Sequence, residues 1–82
     1  MELRDTIELM NSDNHEDRFK AEFYQLKIRI EKLSDLIHKY QNGTLDFKPK
    51  TPLINLKIQL DSMRMYFRIL KARARIEGIE LD

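Results

Sequence analysis

The side chains in this sequence that could do chemistry are cations set beside aromatic rings. Arg18, Lys20, Lys27, Arg29 and Lys32 fall in one stretch, and Arg64, Arg68, Lys71, Arg73 and Arg75 in another. His15, Phe19, Phe23, Tyr24, Tyr66 and Phe67 lie among them. The planar fork of arginine gives phosphate two parallel charged hydrogen bonds. Aromatic and guanidinium planes stack on bases, worth about 1–3 kcal/mol per base. These residue types therefore suit an anionic ligand that carries a base. They also have a reading that needs no ligand. Phe19, Phe23 and Phe67 fit equally well as core, His15 as an exposed residue near a helix start, and the cations from Lys71 to Arg75 as partners for the negative end of a helix.

Catalytic signatures are missing. The chain has no cysteine, so no thiol nucleophile or thiolate metal site. His15 and His38 are about six helical turns apart and cannot share a metal through one helix. Gly43 and Gly78, the two glycines, read as helix stops rather than a phosphate loop. Ser12, Ser34 and Ser62 have no base at a telling spacing. The expectation is a binding protein and not an enzyme, with no catalytic residue, metal or cofactor.

Two long helices must position these groups. Phe19, Phe23, Leu26, Ile30, Leu33, Ile37 and Tyr40 form an unbroken heptad seam. Leu53, Leu56, Leu60, Met63, Phe67, Leu70 and Ala74 form a second. Matched seams joined by a short loop predict an antiparallel two-helix hairpin. Leu3, Ile7 and Met10 predict a short amphipathic helix, too short to stand alone. The expected fold is all-α: one domain over 1–82, with a short helix at 2–10, a long helix at 14–42, a loop at 43–51 and a long helix at 52–77.

Local signals set these bounds. Asp13 with Glu16 resembles a capping box. Asn42-Gly43 ends the first long helix, and Thr51-Pro52 starts the second, with Thr51 as cap and Pro52 at the first helical position. Leu45 and Phe47 are expected to tuck over the hairpin end. Ile58, Met65, Ile69, Ala72 and Ile76 form a further apolar stripe, and Tyr24 and Ile28 lie outside the first seam. A helix apolar on more than one face expects more than one partner, so a homo-oligomer is predicted.

At 82 residues and 41% apolar, the chain can bury only a modest core. No run of apolar residues is long enough to span a membrane, and the start lacks the basic and apolar regions of a signal peptide, so a cytosolic protein is expected. The formal charge of +1 hides a strong pattern. Residues 1–17 carry six acids and one base, residues 18–75 fourteen bases and five acids, and residues 76–82 three acids. A basic middle flanked by acidic ends can attract a small anion while discouraging indiscriminate binding to long nucleic acid.

The run Arg18-Phe19-x-x-Glu22-x-x-x-Leu26-x-x-Arg29-Ile30-x-Lys32-Leu33-x-x-Leu36-Ile37 resembles the phage anti-CBASS sponges, as does Gln59-Leu60-x-x-Met63-x-x-Tyr66-x-x-Ile69-Leu70-x-x-Arg73. These small phage proteins sequester the cyclic oligonucleotides of bacterial antiphage signalling, and the likeness, over roughly residues 14–76, is to the small members in T-even phages. The resemblance implies a helical protomer in a compact homohexamer, acting in the cytoplasm of the infected bacterial host. It implies immune evasion by holding cyclic dinucleotides such as cGAMP between protomers without cleaving them, and in some members cyclic trinucleotides in a separate pocket. An aromatic near the start of the long helix stacks on a base and a lysine further along meets phosphate. Those positions fall near His15 and Arg29, imidazole replacing phenol and guanidinium replacing ammonium. The expected ligand-binding set is His15, Arg18, Phe19, Glu22, Arg29 and Lys32, with Arg64, Arg68 and Arg73 as candidates for a secondary pocket. The competing readings are a structural or partner-binding helical hairpin with no small ligand, an all-helical mutase suggested loosely by Glu2-Leu3-Arg4-Asp5-x-Ile7, and a nucleic-acid binder using the basic face.

Overall fold

The computed structural model describes residues 1–81; Asp82, the last of the C-terminal acids, lies outside the described residues. The described residues form a 3₁₀ turn over Leu3–Thr6, one α-helical turn over Ile7–Met10 (α1), and two long helices, α2 over His15–Asn42 and α3 over Leu53–Glu77, with no strand. The longest dimension is 43 Å, about the length that the 28 residues of α2 span at 1.5 Å each.

Each long helix begins and ends for a local reason. Asn14 is the cap of α2, its side-chain oxygen accepting from the Glu16 N–H at 2.8 Å. The expected box between Asp13 and Glu16 is not what caps the helix, because the extended cap backbone falls one residue later, at Asn14. Glu16 and Asp17 still lie in the first turn, where negative charge is favoured. Asp17 also accepts from the Ser12 hydroxyl at 2.8 Å. At the far end Gly43 takes φ 70°, and the Thr44 N–H donates to the Lys39 carbonyl at 3.0 Å. That left-handed residue and its reverse bond stop the helix.

α3 starts one residue later than expected. Pro52 is extended at ψ 148° and occupies the cap position, its carbonyl accepting from Asn55 and Leu56 at 3.1 and 3.3 Å. No side chain caps this end, so Thr51 does not play the predicted part. In the connection Leu45 is half-buried, but Phe47 is 58% exposed rather than tucked.

Residues early in α2 meet residues late in α3, and the reverse holds at the other end. Phe19, Phe23, Tyr24 and Leu26 cluster with Leu70, Ala74 and Ile79, while Ile37 clusters with Leu56 and Leu60. The Phe23 and Phe67 rings stack at 4.7 Å between centroids. Every residue of both predicted seams is buried or half-buried. Ile79 joins this core from beyond the helix end, a position outside either seam.

The N-terminal segment differs from a single amphipathic helix. Its first turn is 3₁₀, with three residues per turn, so Leu3, Thr6 and Leu9 share the inner face. Thr6 is fully buried, whereas Ile7 and Met10 from the predicted stripe stand about half exposed. Burying a threonine requires its hydroxyl to be satisfied. It donates to the Leu3 carbonyl at 2.7 Å and accepts from Gln25 Nε2 at 2.9 Å. This segment covers α2: Leu9 packs against the cluster holding Tyr24, and Met1 shares a cavity with Tyr24 and Ile28. Tyr24 and Ile28 are accordingly buried within one chain, and need no second copy to cover them. The α3 stripe is different. Ile58, Met65, Ile69 and Ile76 are each more than half exposed.

Candidate functional site

The structure gathers the cationic and aromatic side chains into two separate surfaces. The first lies where the start of α2 meets the end of α3. His15 is the first helical residue after the Asn14 cap, and its Nε2 lies 3.0 Å from Glu77 Oε1. Glu77 Oε2 is 3.4 Å from Arg73 Nε, one turn earlier on α3. The Arg73 guanidinium sits 5.1 Å above the Phe19 ring. The His15 hydrogen bond, and then the Arg73 charge, hold the Glu77 carboxyl below the usual carboxylate range against the opposing effect of partial burial.

Of the ligand-binding residues expected from the sequence, this surface unites His15, Phe19 and Arg73. Phe19 is only 3% exposed, so within the chain its ring belongs to the core beneath Arg73. Arg18 is nearby and exposed, and donates to the Ser12 carbonyl at 2.8 Å. Glu22 is half-buried one turn further on. Arg29 and Lys32 are not brought to this surface by any contact within the chain. Arg29 is exposed and has no ion-pair partner among the described residues. Lys32 opens instead onto a hollow of about 410 Å³ at the loop end, with Asp35, Lys39 and Asp46.

The second surface is a groove between α2 and α3. Lys27, Arg64, Phe67, Arg68 and Lys71 line one part, of about 350 Å³. Through Arg68 and Lys71 it continues into a part of about 520 Å³, lined by Phe23, Arg75 and Ile79 among others. Five cations (Lys27, Arg64, Arg68, Lys71 and Arg75) stand there against one acid, Glu31, and none of the five forms an ion pair among the described residues. Lys71 Nζ lies 4.9 Å from the Phe67 ring centroid, a cation–π contact. Unpaired guanidinium forks beside aromatic surface can hold phosphate.

The secondary candidates thus divide. Arg64 and Arg68 share the groove, while Arg73 leans away toward Phe19 and Glu77. Lys27, Lys71 and Arg75 are groove residues that the expected set omits. A signal for most of them exists in the sequence: Arg64, Arg68, Lys71 and Arg75 recur at spacings of four, three and four, which is one face of a helix. Among the described residues there is no cluster of three acids or histidines that could hold a metal ion. No described helix is long and apolar enough to cross a membrane.

The architecture and these two surfaces define an all-helical chain whose densest chemistry is cationic. Residues 13–76 match the Sequestin family model, and the chain belongs to that family. The match takes in α2, the connection and nearly all of α3. The family name denotes sequestration, which agrees at that level with the resemblance to sponge proteins and points to binding rather than catalysis. The small ribosomal subunit protein uS2 of Acaryochloris marina is 35% identical over 54 residues, covering 66% of this chain and 18% of that protein. The chain thus spans less than a fifth of the length of that relative. No solved structure matches.

Proposed function

We propose that this chain sequesters cyclic dinucleotide second messengers such as cGAMP, holding them without cleavage and so keeping them from a CBASS effector in an infected bacterial cell. The observation that carries this reading is the family match over residues 13–76. The cationic surfaces fit the ligand: Arg18 and Arg29 are exposed on α2, and His15 offers a ring at its start. A useful sponge must outcompete the effector, which calls for nanomolar affinity, about −12 kcal/mol. One exposed arginine and one stack do not reach that, and a ligand of this size needs an enclosing pocket. The proposed pocket therefore lies between copies of an antiparallel helical hairpin assembled as a homo-oligomer, a hexamer on this reading. The exposed stripe of Ile58, Met65, Ile69 and Ile76 supplies the contact surface. A cyclic trinucleotide is a candidate ligand for the α3 groove.

Calorimetric titration against a panel of cyclic di- and trinucleotides tests this. Nanomolar binding of at least one, with the ligand recovered unchanged after heat denaturation, is expected. Absence of binding across the panel, or linear product beyond one equivalent, overturns it. The exposed α3 stripe also favours a second reading, a partner-binding helical module with no small ligand. Nucleotide absorbance co-purifying with the protein would separate the two.

A further inference from the structure

The end of α3 is built so that one carboxylate has little freedom. Gly78 takes φ 69°, and the Ile79 N–H returns to the Ala74 carbonyl at 2.8 Å. Ile79 is then buried with Phe19, Phe23 and Leu70. This reverse bond with its apolar contact is the usual way a left-handed stop locks the last helical turn. Here it fixes the backbone of Glu77 beside the first turn of α2. The carboxylate is divided between two neighbours, Oε1 at 3.0 Å from His15 Nε2 and Oε2 at 3.4 Å from Arg73 Nε. Arg73 is itself seated over the Phe19 ring. The chain of contacts runs from buried core, through guanidinium and carboxylate, to an imidazole whose side chain is 59% exposed.

An imidazole on the first residue of a helix, left alone, samples several rotamers and both tautomers. A ring that must stack on a base gives up that freedom on binding, and the loss weakens affinity. An ionised carboxylate only accepts hydrogen bonds, so the nitrogen facing it must carry the proton. Resting on the reading of His15 as the stacking ring, we infer that Glu77 is a positioning residue for ligand capture. Its carboxylate accepts a hydrogen bond from the Nε2–H of His15, sets the tautomer and ring orientation before the ligand arrives, and is held in turn by Arg73. The group served is a nucleobase of a cyclic dinucleotide, and Glu77 itself touches no ligand. His15 lies inside the family-matched stretch, whereas Glu77 lies one residue beyond it.

The test compares Glu77→Ala, Glu77→Gln, His15→Ala and the double variant Glu77→Ala/His15→Ala. Each is titrated calorimetrically with cGAMP, and the ring nitrogens of His15 are read by ¹⁵N NMR. Glu77→Ala should raise Kd roughly two- to tenfold, the effect of freeing one side chain, and should replace the Nε2–H pattern of His15 by an averaged one. Glu77→Gln, whose amide oxygen can still accept from Nε2, should stay within about twofold of wild type. In the His15→Ala background Glu77→Ala should add nothing, because its effect runs through the ring. An unchanged Kd in Glu77→Ala beside a weakened His15→Ala overturns the positioning role alone. So does an equal loss in both backgrounds. His15→Ala binding as wild type overturns the stacking reading as well. Should Glu77→Ala not fold, a His15 proton found on Nδ1 in the wild type refutes the inference without any variant.

Discussion

Replacing Arg29 by Ala weighs the α2 surface directly against the α3 groove. Arg29 is exposed and has no ion-pair partner among the described residues, so its loss should change the stability of the chain by no more than about 0.5 kcal/mol. Its expected role is to meet phosphate through charged hydrogen bonds, each worth about 1.5–3 kcal/mol. At about 1.4 kcal/mol per tenfold, one such bond corresponds to a roughly 10- to 150-fold change in Kd. Arg18 cannot substitute. It lies eleven residues away, about 16 Å along the helix, and its guanidinium already meets the Ser12 carbonyl at 2.8 Å. In a pocket shared by two symmetry-related copies both Arg29 side chains vanish together, and the loss doubles to about 3–6 kcal/mol. Calorimetry with cGAMP reads the affinity, while melting temperature and light scattering confirm that fold and mass are kept. If Arg29→Ala binds as wild type while Arg64→Ala or Arg68→Ala abolishes binding, the pocket is the α3 groove and the assignment to α2 is refuted.

Leu70 is completely buried in the cluster of Phe19, Phe23, Ala74 and Ile79. Leu70→Ala should cost about 2–5 kcal/mol and lower the melting temperature by roughly 10–30 °C; a drop of a degree or two would mean the site is not tightly packed. Ile69→Glu puts a charge on the exposed α3 stripe, so light scattering should show a smaller or unfolded species if that stripe joins protomers. Unchanged mass and melting temperature would show that the stripe is not the interface. Glu77 has a folded-state pKa below its ordinary value, so its stabilising contribution is present above the unfolded pKa and is lost as pH falls through the lowered folded one. Melting curves of wild type and Glu77→Gln should therefore converge as pH is taken down through that window, and curves that stay parallel would contradict the pairing.

The heptad seams were open to reading because burial repeats with helical period, and Gly43 and Gly78 because a left-handed stop has one common residue. Contacts that depend on which turns face each other were not. His15 and Glu77 are 62 residues apart, and nothing in either neighbourhood announces the other. The buried face of the N-terminal segment was concealed by chemistry: Thr6 reads as polar until Gln25, nineteen residues on, is seen to satisfy it. Tyr24 and Ile28 read as an unpartnered face for the same reason, since in the segment that covers them only Leu3 of the expected stripe faces inward, while Ile7 and Met10 stand half exposed. Phe47 shows the opposite error, an aromatic whose type suggests burial in a connection too open to enclose it. The four-cation row on α3 is legible at helical spacing, although Arg73 falls between two of its members in chain order and lies off the row.

The two segments packed against α2 from outside the long helices have a practical consequence for dissecting this protein. Residues 1–12 cover one flank of α2, and Ile79 with Leu81 closes one end of its core, yet both segments fall outside residues 13–76. A fragment trimmed to the family borders would retain both long helices and still be a different object. Gln25 would lose its threonine acceptor, Tyr24 and Ile28 would meet water, and Phe19 and Phe23 would lose the apolar plug below α3. Added to the stripe of Ile58, Met65 and Ile69, that fresh greasy area would make the fragment sticky and quickly digested by protease. The unit that can be compared across relatives is therefore shorter than the unit that can be handled in a tube.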